Sequence, residues 1–401
     1  MVDLELIHDL LTPADTKILL FVLDGLGGLP VTPGGPTELE AADTPNLDRL
    51  ASDGMVGLHQ PVSPGITPGS GPGHIGLFGY DAIRYQIGRG VLEALGVGFD
   101  LRPNDLAARG NFCTMDAAGK ITDRRAGRIP TERCRALCAE LRKIELPGVK
   151  MFVEPVREHR FLLVLRGKGL EEGVADTDPE HAGAPPLEVT AERPEAEKAA
   201  ELVRRFVAGA RDRLAGHEPA NMVLLRGFAR LPDWPKFPEV FGLKSVAVAQ
   251  YPMYRGVAKL MGMDTAEVGA SLDDLLSTLE QVWSRYDFAF VHVKETDKAG
   301  EDGAFDRKVR VIEEADRYVP RLMALKPDVV IVTGDHSTPA ALRGHSWHPV
   351  PFLLWSTTCR PDGVKRFGER WCLEGGAGLC RSEDLMPLAL AHAGRMAKFG
   401  A

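Results

Sequence analysis

Residues 328–339 read DVVIVTGDHSTP, an apolar run that ends on the adjacent side chains of Asp335 and His336. Two neighbouring side chains on the turn after a buried strand cannot both face a core. At least one must enter the cleft where the strands of an open α/β sheet end, which is where such folds bind ligands. This segment therefore predicts a buried strand with a functional site at its carboxyl end.

Three further segments place polar side chains beside apolar runs. One lies after residues 18–23, one lies beyond residues 288–293, and the third precedes the run PVPFLLW at residues 349–355. The side chains concerned are Asp24, Asp297, Glu301, His345 and His348. Of the two histidines, we expect one to be a ligand and the other its neighbour. Oxygen and imidazole ligands from separate strand ends can converge on a two-metal site, so the sequence predicts a metalloenzyme that acts on phosphate.

Strand and helix patterns alternate from about residue 240 onward, which is typical of a mainly parallel sheet flanked by helices. Residues 17–24 predict another buried strand of that sheet. Between these regions the pattern changes to hairpins and a long amphipathic helix, and the proline-rich LPDWPKFP then suggests a boundary. We therefore expect an α/β core of residues 1–95 and 240–401, with an inserted α+β domain of residues 96–239.

The stretch SPGITPGSGPGHIGLFGY, residues 63–80, is so rich in glycine and proline that it predicts a loop whose backbone approaches another group closely. Ser70 lies within it. The GxSxG nucleophile elbow does not fit, because Pro68 occupies the position of the first glycine. Ser70 is either a flexible loop serine or a nucleophile. Since no Ser–His–Asp order is evident, activation by a metal ion is the preferred route for a nucleophile.

Composition excludes several classes of protein. A formal charge of −8 argues against a nucleic-acid binder, and 44 % hydrophobic residues with no apolar run of about 20 argue against a membrane span. The six cysteines form no CxxC pair, which favours free buried thiols over a metal site or disulfides. An acidic N-terminus is unlike a signal peptide, so we expect a cytoplasmic protein.

Several motifs together resemble the alkaline phosphatase superfamily, and within it the cofactor-independent phosphoglycerate mutases of the archaeal type. The motifs are the DG after the first strand, PGSGPGH, GDHSTP, HSWHPVPF, LFGYD, GRGVLEALG, FDLRPNDLAARGNF and ITDRRAGRI. The resemblance extends through nearly the whole chain. It implies an alkaline phosphatase-like core with a seryl loop and two divalent ions, usually manganese, and an inserted domain that closes over the glycerate.

The resemblance also implies which residues bind the ions. The first ion would be bound by Asp24, Ser70, Asp335 and His336. The second would be bound by Asp297, Glu301 and His345. The chain reads GEDG where the family commonly has GHDG, so Glu301 stands in place of a histidine. A carboxylate suits manganese or magnesium better than zinc, and cobalt and zinc stay open as alternatives.

Arginines in the inserted domain predict an anion clamp, and Arg255 in the core is a further candidate. Arginine forks suit carboxylate and phosphate groups, and the resemblance places arginines at comparable positions. The candidates are Arg124, Arg125, Arg128, Arg226, Arg230 and Arg255. The alternative for the DRRAGR cluster is a solvated basic hairpin.

The resemblance implies interconversion of 3-phosphoglycerate and 2-phosphoglycerate without a bisphosphoglycerate cofactor. Ser70 would become phosphoserine, and Asp123 would assist the return of the phosphoryl group. A metal-dependent phosphatase or a phosphopentomutase is the alternative within the superfamily, and a catalytically silent metabolite-binding protein is the alternative from another class. The partner is a small-molecule substrate, and a homo-oligomer stays open.

Overall fold

The structure, a computed structural model, describes residues 3–400. It separates into two compact units: one comprises the chain up to Gln86 and from Trp234 onward, and the other is Ile87–Asp233. Residues 87–95, which we expected in the first region, belong to the second unit. Residues 234–239 belong to the first. The boundary after Asp233 falls inside the proline-rich LPDWPKFP segment.

Strands and helices occur in both units. The strands are β1 Ile18–Leu23, β2 Met55–Gln60, β3 Asp105–Met115, β4 Ile121–Asp123, β5 Lys150–Arg157, β6 Arg160–Arg166, β7 Met222–Arg230, β8 Ser245–Ala249, β9 Asp264–Thr265, β10 Phe288–Val293, β11 Val329–Thr333, β12 Val350–Ser356 and β13 Gly378–Arg381. The helices are α1 Leu4–Asp9, α2 Glu38–Ala41, α3 Pro45–Asp53, α4 Ser70–Leu77, α5 Arg89–Gly96, α6 Thr131–Leu141, α7 Glu197–Leu214, α8 Phe237–Phe241, α9 Pro252–Leu260, α10 Leu272–Val282, α11 Glu295–Glu301, α12 Phe305–Ala324, α13 Glu369–Glu374 and α14 Leu385–His392.

The first unit is built on a sheet with the strand order β13-β2-β12-β11-β1-β10-β8-β9. All neighbours pair in parallel except β12, which runs antiparallel to both β11 and β2. Every residue of β1, β10 and β11 is buried, as expected of strands covered on both faces. The carboxyl ends of these three adjacent strands therefore meet at one edge of the sheet. The predicted α/β core with a mainly parallel sheet is confirmed.

Helix ends in the first unit follow the local sequence. Pro45 occupies the first turn of α3, where a missing N–H costs nothing, and Gly54 ends that helix. At α10, Ser271 and Asp274 form a reciprocal capping box.

The second unit contains an antiparallel sheet in the order β4-β3-β6-β5, with β7 also paired to β3. Helices α6 and α7 supply apolar side chains to its core, among them Leu137, Leu141 and Phe206. The β3–β4 hairpin turns at residues 116–120, as predicted. This unit is therefore of the α+β type.

The interpretation of residues 63–80 as a loop is wrong in part, because Ser70–Leu77 forms helix α4. Pro72 lies in the first helical turn, where no intrahelical partner for its nitrogen is needed. A Cβ atom on Gly73 would lie 2.4 Å from the carbonyl oxygen of Asp335. Tight packing against another segment thus stabilises a helix of poor intrinsic propensity, and the predicted close approach of the backbone is confirmed.

The cysteines are free, and Cys113, Cys134, Cys138 and Cys372 are buried. This agrees with the expectation of free thiols. Among residues 3–400, no helix is both long and apolar enough to cross a membrane.

Candidate active site

Three adjacent strands of the first unit deliver acidic and imidazole side chains to one edge of the sheet. Asp24 follows β1, Asp297 lies in α11 just beyond β10, and Asp335 and His336 follow β11. All four are buried. The convergence arises because parallel strands end at a common edge, as the sequence pattern predicts.

The first group of candidate ligands consists of Asp24, Asp335 and His336, whose ligand atoms all lie within 4.8 Å of one another. His336 Nε2 is 3.4 Å from Asp24 Oδ1 and 3.2 Å from Asp335 Oδ2. Ser70 Oγ lies 3.2 Å from the same nitrogen. The structure thus brings together the four residues predicted for the first ion.

The second group consists of Asp297, His336 and His345, again with ligand atoms within 4.8 Å. His345 Nε2 lies 3.5 Å from Asp297 Oδ1, and its Nδ1 lies 2.9 Å from the carbonyl oxygen of Pro68. The rings of His336 and His345 stack with centroids 3.7 Å apart. His336 therefore belongs to both groups.

Two carboxylate oxygens at this site are left without hydrogen-bond partners among residues 3–400: Asp24 Oδ1 and Asp335 Oδ2. The latter lies 3.1 Å from His74 Nδ1, but that nitrogen donates to the carbonyl oxygen of Ser70 at 2.8 Å. Buried anionic oxygens normally have partners, so two orphaned ones beside an imidazole fit a divalent cation. The set of oxygens and nitrogens is suited to manganese, magnesium or zinc.

Lys294 is a site residue that the sequence interpretation missed. Its Nζ donates to Asp297 Oδ2 at 2.6 Å, to Asp24 Oδ2 at 3.2 Å and to the Tyr254 hydroxyl at 2.8 Å. Burial alone would raise the pKa of the Asp24 carboxyl, but the Lys294 ammonium and the neighbouring His292 lower it well below its ordinary value. The position of this lysine directly after the apolar run of β10 is the sequence feature that could have identified it as a site residue.

Three further residues missed from sequence surround the ligands. His292 Nε2 lies 2.9 Å from Asp24 Oδ2, and the ring of Tyr254 lies 3.8 Å from the His292 ring. The hydroxyl of Thr338 lies between Asp297 and His336. His292 lies inside a buried strand and Tyr254 inside α9, so their patterns resemble ordinary core residues.

The two site histidines have pKa values shifted in opposite directions. Burial lowers the pKa of His336, whereas the Asp297 carboxylate outweighs burial at His345 and raises its pKa to about 9. Asp297 thus favours the protonated form of His345.

Glu301 and His348 lie at the margin of the candidate metal site. Glu301 Oε1 is 3.9 Å from His345 Nε2, and 54 % of its side chain is exposed. It is not among the ligand atoms that cluster within 4.8 Å, so its role as a ligand stays a prediction. His348 Nδ1 contacts the Ser346 hydroxyl at 3.0 Å, which makes it the neighbour and His345 the member of the group.

In the second unit, two of the predicted clamp arginines share one buried carboxylate. Arg124 Nε and Nη2 donate to the two oxygens of Asp178 at 2.8 Å and 2.7 Å. Arg226 Nη1 lies 3.5 Å from Asp178 Oδ2, and its Nη2 also pairs with Glu180. The Asp178 side chain is fully buried, and although burial opposes its ionisation, Arg124 lowers its pKa. Asp178 thus holds the Arg124 guanidinium by two hydrogen bonds and lies beside that of Arg226, whose Nε has no hydrogen-bond partner among residues 3–400.

The remaining predicted arginines have different surroundings. Arg230 pairs with Glu171, and Arg255, on α9 of the first unit, pairs with Glu267. Arg125 and Arg128 are exposed. The carboxylate of Asp123 accepts hydrogen bonds from the backbone N–H groups of residues 125 and 127, at 2.8 Å and 2.6 Å, and so holds the turn that carries them.

Comparisons with known proteins identify the family of this chain. A family model described as 2,3-bisphosphoglycerate-independent phosphoglycerate mutase matches residues 51–220. A protein of Thermus thermophilus, named a probable 2,3-bisphosphoglycerate-independent phosphoglycerate mutase, is 50 % identical over 98 % of this chain and 98 % of its own length. One of Aquifex aeolicus with the same name is 50 % identical over 99 % of this chain and its full length.

Two solved structures share the fold. A Pyrococcus horikoshii protein matches with a TM-score of 0.80 and 32 % identity, over 96 % of this chain and 99 % of its own. The cofactor-independent phosphoglycerate mutase of Thermoplasma acidophilum matches with a TM-score of 0.73 and 31 % identity, over 94 % of this chain and 100 % of its own.

Fold, site and relatives define the class of protein as an isomerase of the phosphoglycerate mutase type. Within that class, the chain belongs to the family of 2,3-bisphosphoglycerate-independent phosphoglycerate mutases. The resemblance in the sequence motifs is confirmed.

Proposed function

We propose that this chain interconverts 3-phosphoglycerate and 2-phosphoglycerate without bisphosphoglycerate, through a phosphoserine at Ser70. The observation that carries the proposal is the position of Ser70 Oγ, 3.2 Å from His336 Nε2 at the meeting point of two ligand groups. A hydroxyl in that position is within reach of the charges needed to make it a nucleophile.

The first ion would be bound by Asp24, Asp335 and His336, with Ser70 as a further ligand, and the second by Asp297 and His345, with Glu301 at the margin. Divalent cations there, manganese preferred, would lower the pKa of the Ser70 hydroxyl and neutralise the phosphoryl oxygens.

The chain's own residues prepare Ser70 for attack. Ser70 begins α4, so the positive end of the helix lies beside its hydroxyl and favours an anionic phosphoryl group there. His74 donates to the carbonyl of Ser70 and so holds the first helical turn in place. The ammonium of Lys294 adds a fixed positive charge beside Asp24 and Asp297.

The second unit would bind the substrate through its arginines. Arg124 has a fixed geometry because Asp178 orders it, and Arg226 lies beside the same carboxylate. The exposed Arg125 and Arg128 keep donors for a carboxylate or a phosphate. Asp123 would take up the proton of the glycerate hydroxyl that receives the phosphoryl group, in addition to holding the turn. A cytoplasmic location and a homo-oligomeric state stay predictions.

An enolase-coupled assay tests the activity. Chelated protein given 3-phosphoglycerate should show no turnover, and added manganese should restore it without bisphosphoglycerate. Release of free phosphate in place of 2-phosphoglycerate would favour a phosphatase. Tight binding without turnover under saturating manganese would favour a silent binding protein.

A further inference from the structure

We propose that Thr338 is a positioning residue of this site: its single hydroxyl links Asp297 to His336, the residue that the two ligand groups share, and fixes the tautomer of His336 with Nε2 unprotonated. The inference rests on the proposed metal-dependent function, which it deepens. Thr338 is fully buried, and its hydroxyl contacts both Asp297 and His336.

The tautomer of His336 follows from the number of protons shared among Asp297, Thr338 and His336. Thr338 Oγ1 lies 2.6 Å from Asp297 Oδ1 and 2.9 Å from His336 Nδ1. A carboxylate paired with a lysine only accepts hydrogen bonds, and Asp297 Oδ2 accepts one from Lys294 Nζ at 2.6 Å. The one hydroxyl proton therefore goes to Asp297. The hydroxyl oxygen must then accept a proton from His336 Nδ1–H.

The surroundings of His336 Nε2 agree with that tautomer. Neither Asp24 Oδ1 nor Asp335 Oδ2 has a hydrogen-bond partner among residues 3–400, so a proton on Nε2 would not be directed at either carboxylate. The Ser70 hydroxyl, 3.2 Å away, is able to donate to the nitrogen lone pair. An unprotonated Nε2 facing two carboxylate oxygens is the form that binds a metal ion.

The backbone of Thr338 is held on both sides. Its N–H donates to the carbonyl oxygen of Gly27 at 3.0 Å, and its carbonyl oxygen accepts from Lys308 Nζ at 2.9 Å. Lys308 is fully buried, and the same ammonium donates to the Gly27 carbonyl at 3.0 Å. The ammonium therefore links the turn after β1 to the turn after β11.

Two glycines leave the space that Thr338 occupies. Gly25 has a φ of +63°, and a Cβ atom there would lie 2.5 Å from Thr338 Oγ1. A Cβ atom on Gly300 would lie 2.1 Å from the Thr338 carbonyl oxygen. The hydroxyl thus has a packed environment that fixes its position.

His345 provides an internal comparison. Its Nδ1 contacts the carbonyl oxygen of Pro68, which can only accept, so Nδ1 carries a proton without further argument. The hydroxyl contacting His336 could donate or accept, and only Asp297 decides between the two. The tautomer of His336 therefore depends on the hydrogen bond that Thr338 donates to Asp297.

The first experiment needs no variant. Chelated wild-type protein labelled with ¹⁵N-histidine is studied by long-range ¹H–¹⁵N correlation, and the His336 signals are assigned from their loss in His336→Asn. We expect the pattern of an Nδ1-protonated, Nε2-unprotonated ring. The opposite tautomer in the metal-free protein would overturn the inference, whether or not the enzyme turns over.

The second experiment measures manganese affinity by calorimetry. Thr338→Val should weaken manganese binding by about tenfold or more, because loss of a residue that hydrogen-bonds to a metal ligand costs roughly 10–100-fold in metal affinity. The same variant should contain both tautomers of His336. Thr338→Ser keeps the hydroxyl and should stay within about threefold of wild type. Thr44→Val, at another buried threonine of the same unit, is the matched control and should leave both readouts unchanged.

Wild-type affinity together with an unchanged spectrum in folded Thr338→Val would contradict the proposal. If that variant fails to fold, the wild-type spectrum and the serine variant decide. Absent mutase turnover with the expected tautomer would reject the proposed activity and leave the role of Thr338 standing.

Discussion

Carboxylate oxygens at the site of the first unit are left without partners, whereas the carboxylates of the second unit are matched to arginines. Asp24 Oδ1 and Asp335 Oδ2 have no hydrogen-bond partner among residues 3–400. By contrast, both oxygens of Asp178 are paired with Arg124, and one also lies near Arg226. The first arrangement leaves two carboxylate oxygens that a cation would satisfy. In the second, both oxygens of Asp178 are satisfied, although Arg226 Nε has no hydrogen-bond partner among residues 3–400.

The difference suggests a separate function for each unit, with metal binding in the first and substrate binding in the second. A site with surplus negative charge recruits metal ions and gains its catalytic charge from them. An arginine pair braced by a buried aspartate keeps its geometry before the substrate arrives, which reduces the cost of ordering. Each prediction below alters one side of this contrast, beginning with the largest expected effect.

Removing a ligand of the first group should have the largest effect. Asp24→Asn replaces a carboxylate that has one unpaired oxygen, so manganese affinity should fall by about a hundredfold or more, and activity should fall in proportion. The estimate follows because loss of a residue that only hydrogen-bonds to a metal ligand already costs roughly 10–100-fold in metal affinity. Calorimetric titration of the metal measures this. Asp264→Asn, an exposed carboxylate at the edge of the sheet, is the control. Equal affinity in the two variants would mean that the partnerless oxygens do not attract a cation.

Loosening the arginine pair should have an intermediate effect. Asp178→Asn loses the charge that orders Arg124, so we expect KM for 3-phosphoglycerate to rise about tenfold, with manganese affinity unchanged. Asp105→Asn is a matched control, because Asp105 holds Arg166 through the same two-point contact, at 2.7 Å for each bond. Its KM should stay near that of wild type. A shift in metal affinity but not in KM would reverse the proposed division of work.

Glu301 tests the boundary of the metal site. Its carboxylate lies 3.9 Å from His345 Nε2, and about half of the side chain is exposed. Glu301→Gln should therefore lower the affinity for one of the two manganese ions by less than about tenfold. Glu301→His should keep activity and shift the preference toward zinc. The measurement is activity against metal concentration for manganese, magnesium and zinc. A loss as large as that of Asp24→Asn would place Glu301 among the main ligands.

The last prediction concerns stability in acid rather than the binding of metal or substrate. Burial lowers the pKa of His59 to about 4, although the Gly334 carbonyl partly opposes the shift. An unfolded histidine titrates near 6.5, so the unfolded state takes up this proton first as the pH falls. The free energy of unfolding should therefore decrease from about pH 6.5 toward pH 4, with a contribution from His59 of up to about 3 kcal/mol.

Urea unfolding of the chelated protein from pH 7 to pH 4.5 measures this contribution. His59→Gln should show a shallower dependence on pH. His159, in the second unit, also has a pKa lowered to about 4, mainly by burial, so His159→Gln is the parallel variant for that unit. Identical slopes in His59→Gln and wild type would show that His59 is not the acid-sensitive group.

The sequence predicted the ligand positions of the first unit because they depend on a simple geometric rule. Apolar runs identify the parallel strands, and parallel strands end at one edge, so Asp24, Asp297 and Asp335 had to meet. The antiparallel direction of β12 was not predictable, since it depends on the path of the chain rather than on local pattern. Helix α4 was missed because packing of Gly73 against the backbone overrides its low propensity.

Partners that are distant in the chain leave no local signal. Arg124 is matched by Asp178, 54 residues away, and no periodicity points to that pairing. The roles of Lys294 and Thr338 likewise follow from three-dimensional contacts with residues of other segments. The candidate ligands and the nucleophile could thus be predicted from the sequence. The residues that orient them could be identified only from the three-dimensional structure.

The most direct test of the account is the chemical state of Ser70 during turnover. Manganese-loaded protein mixed with 3-phosphoglycerate, acid-quenched within the first turnovers and digested, should yield the peptide that contains Ser70 with one added phosphoryl group. Ser70→Ala should carry none and should lose activity by at least about a thousandfold, as expected when a nucleophile is removed. Full turnover by Ser70→Ala, or a phosphoryl group found on a different residue, would contradict the central claim.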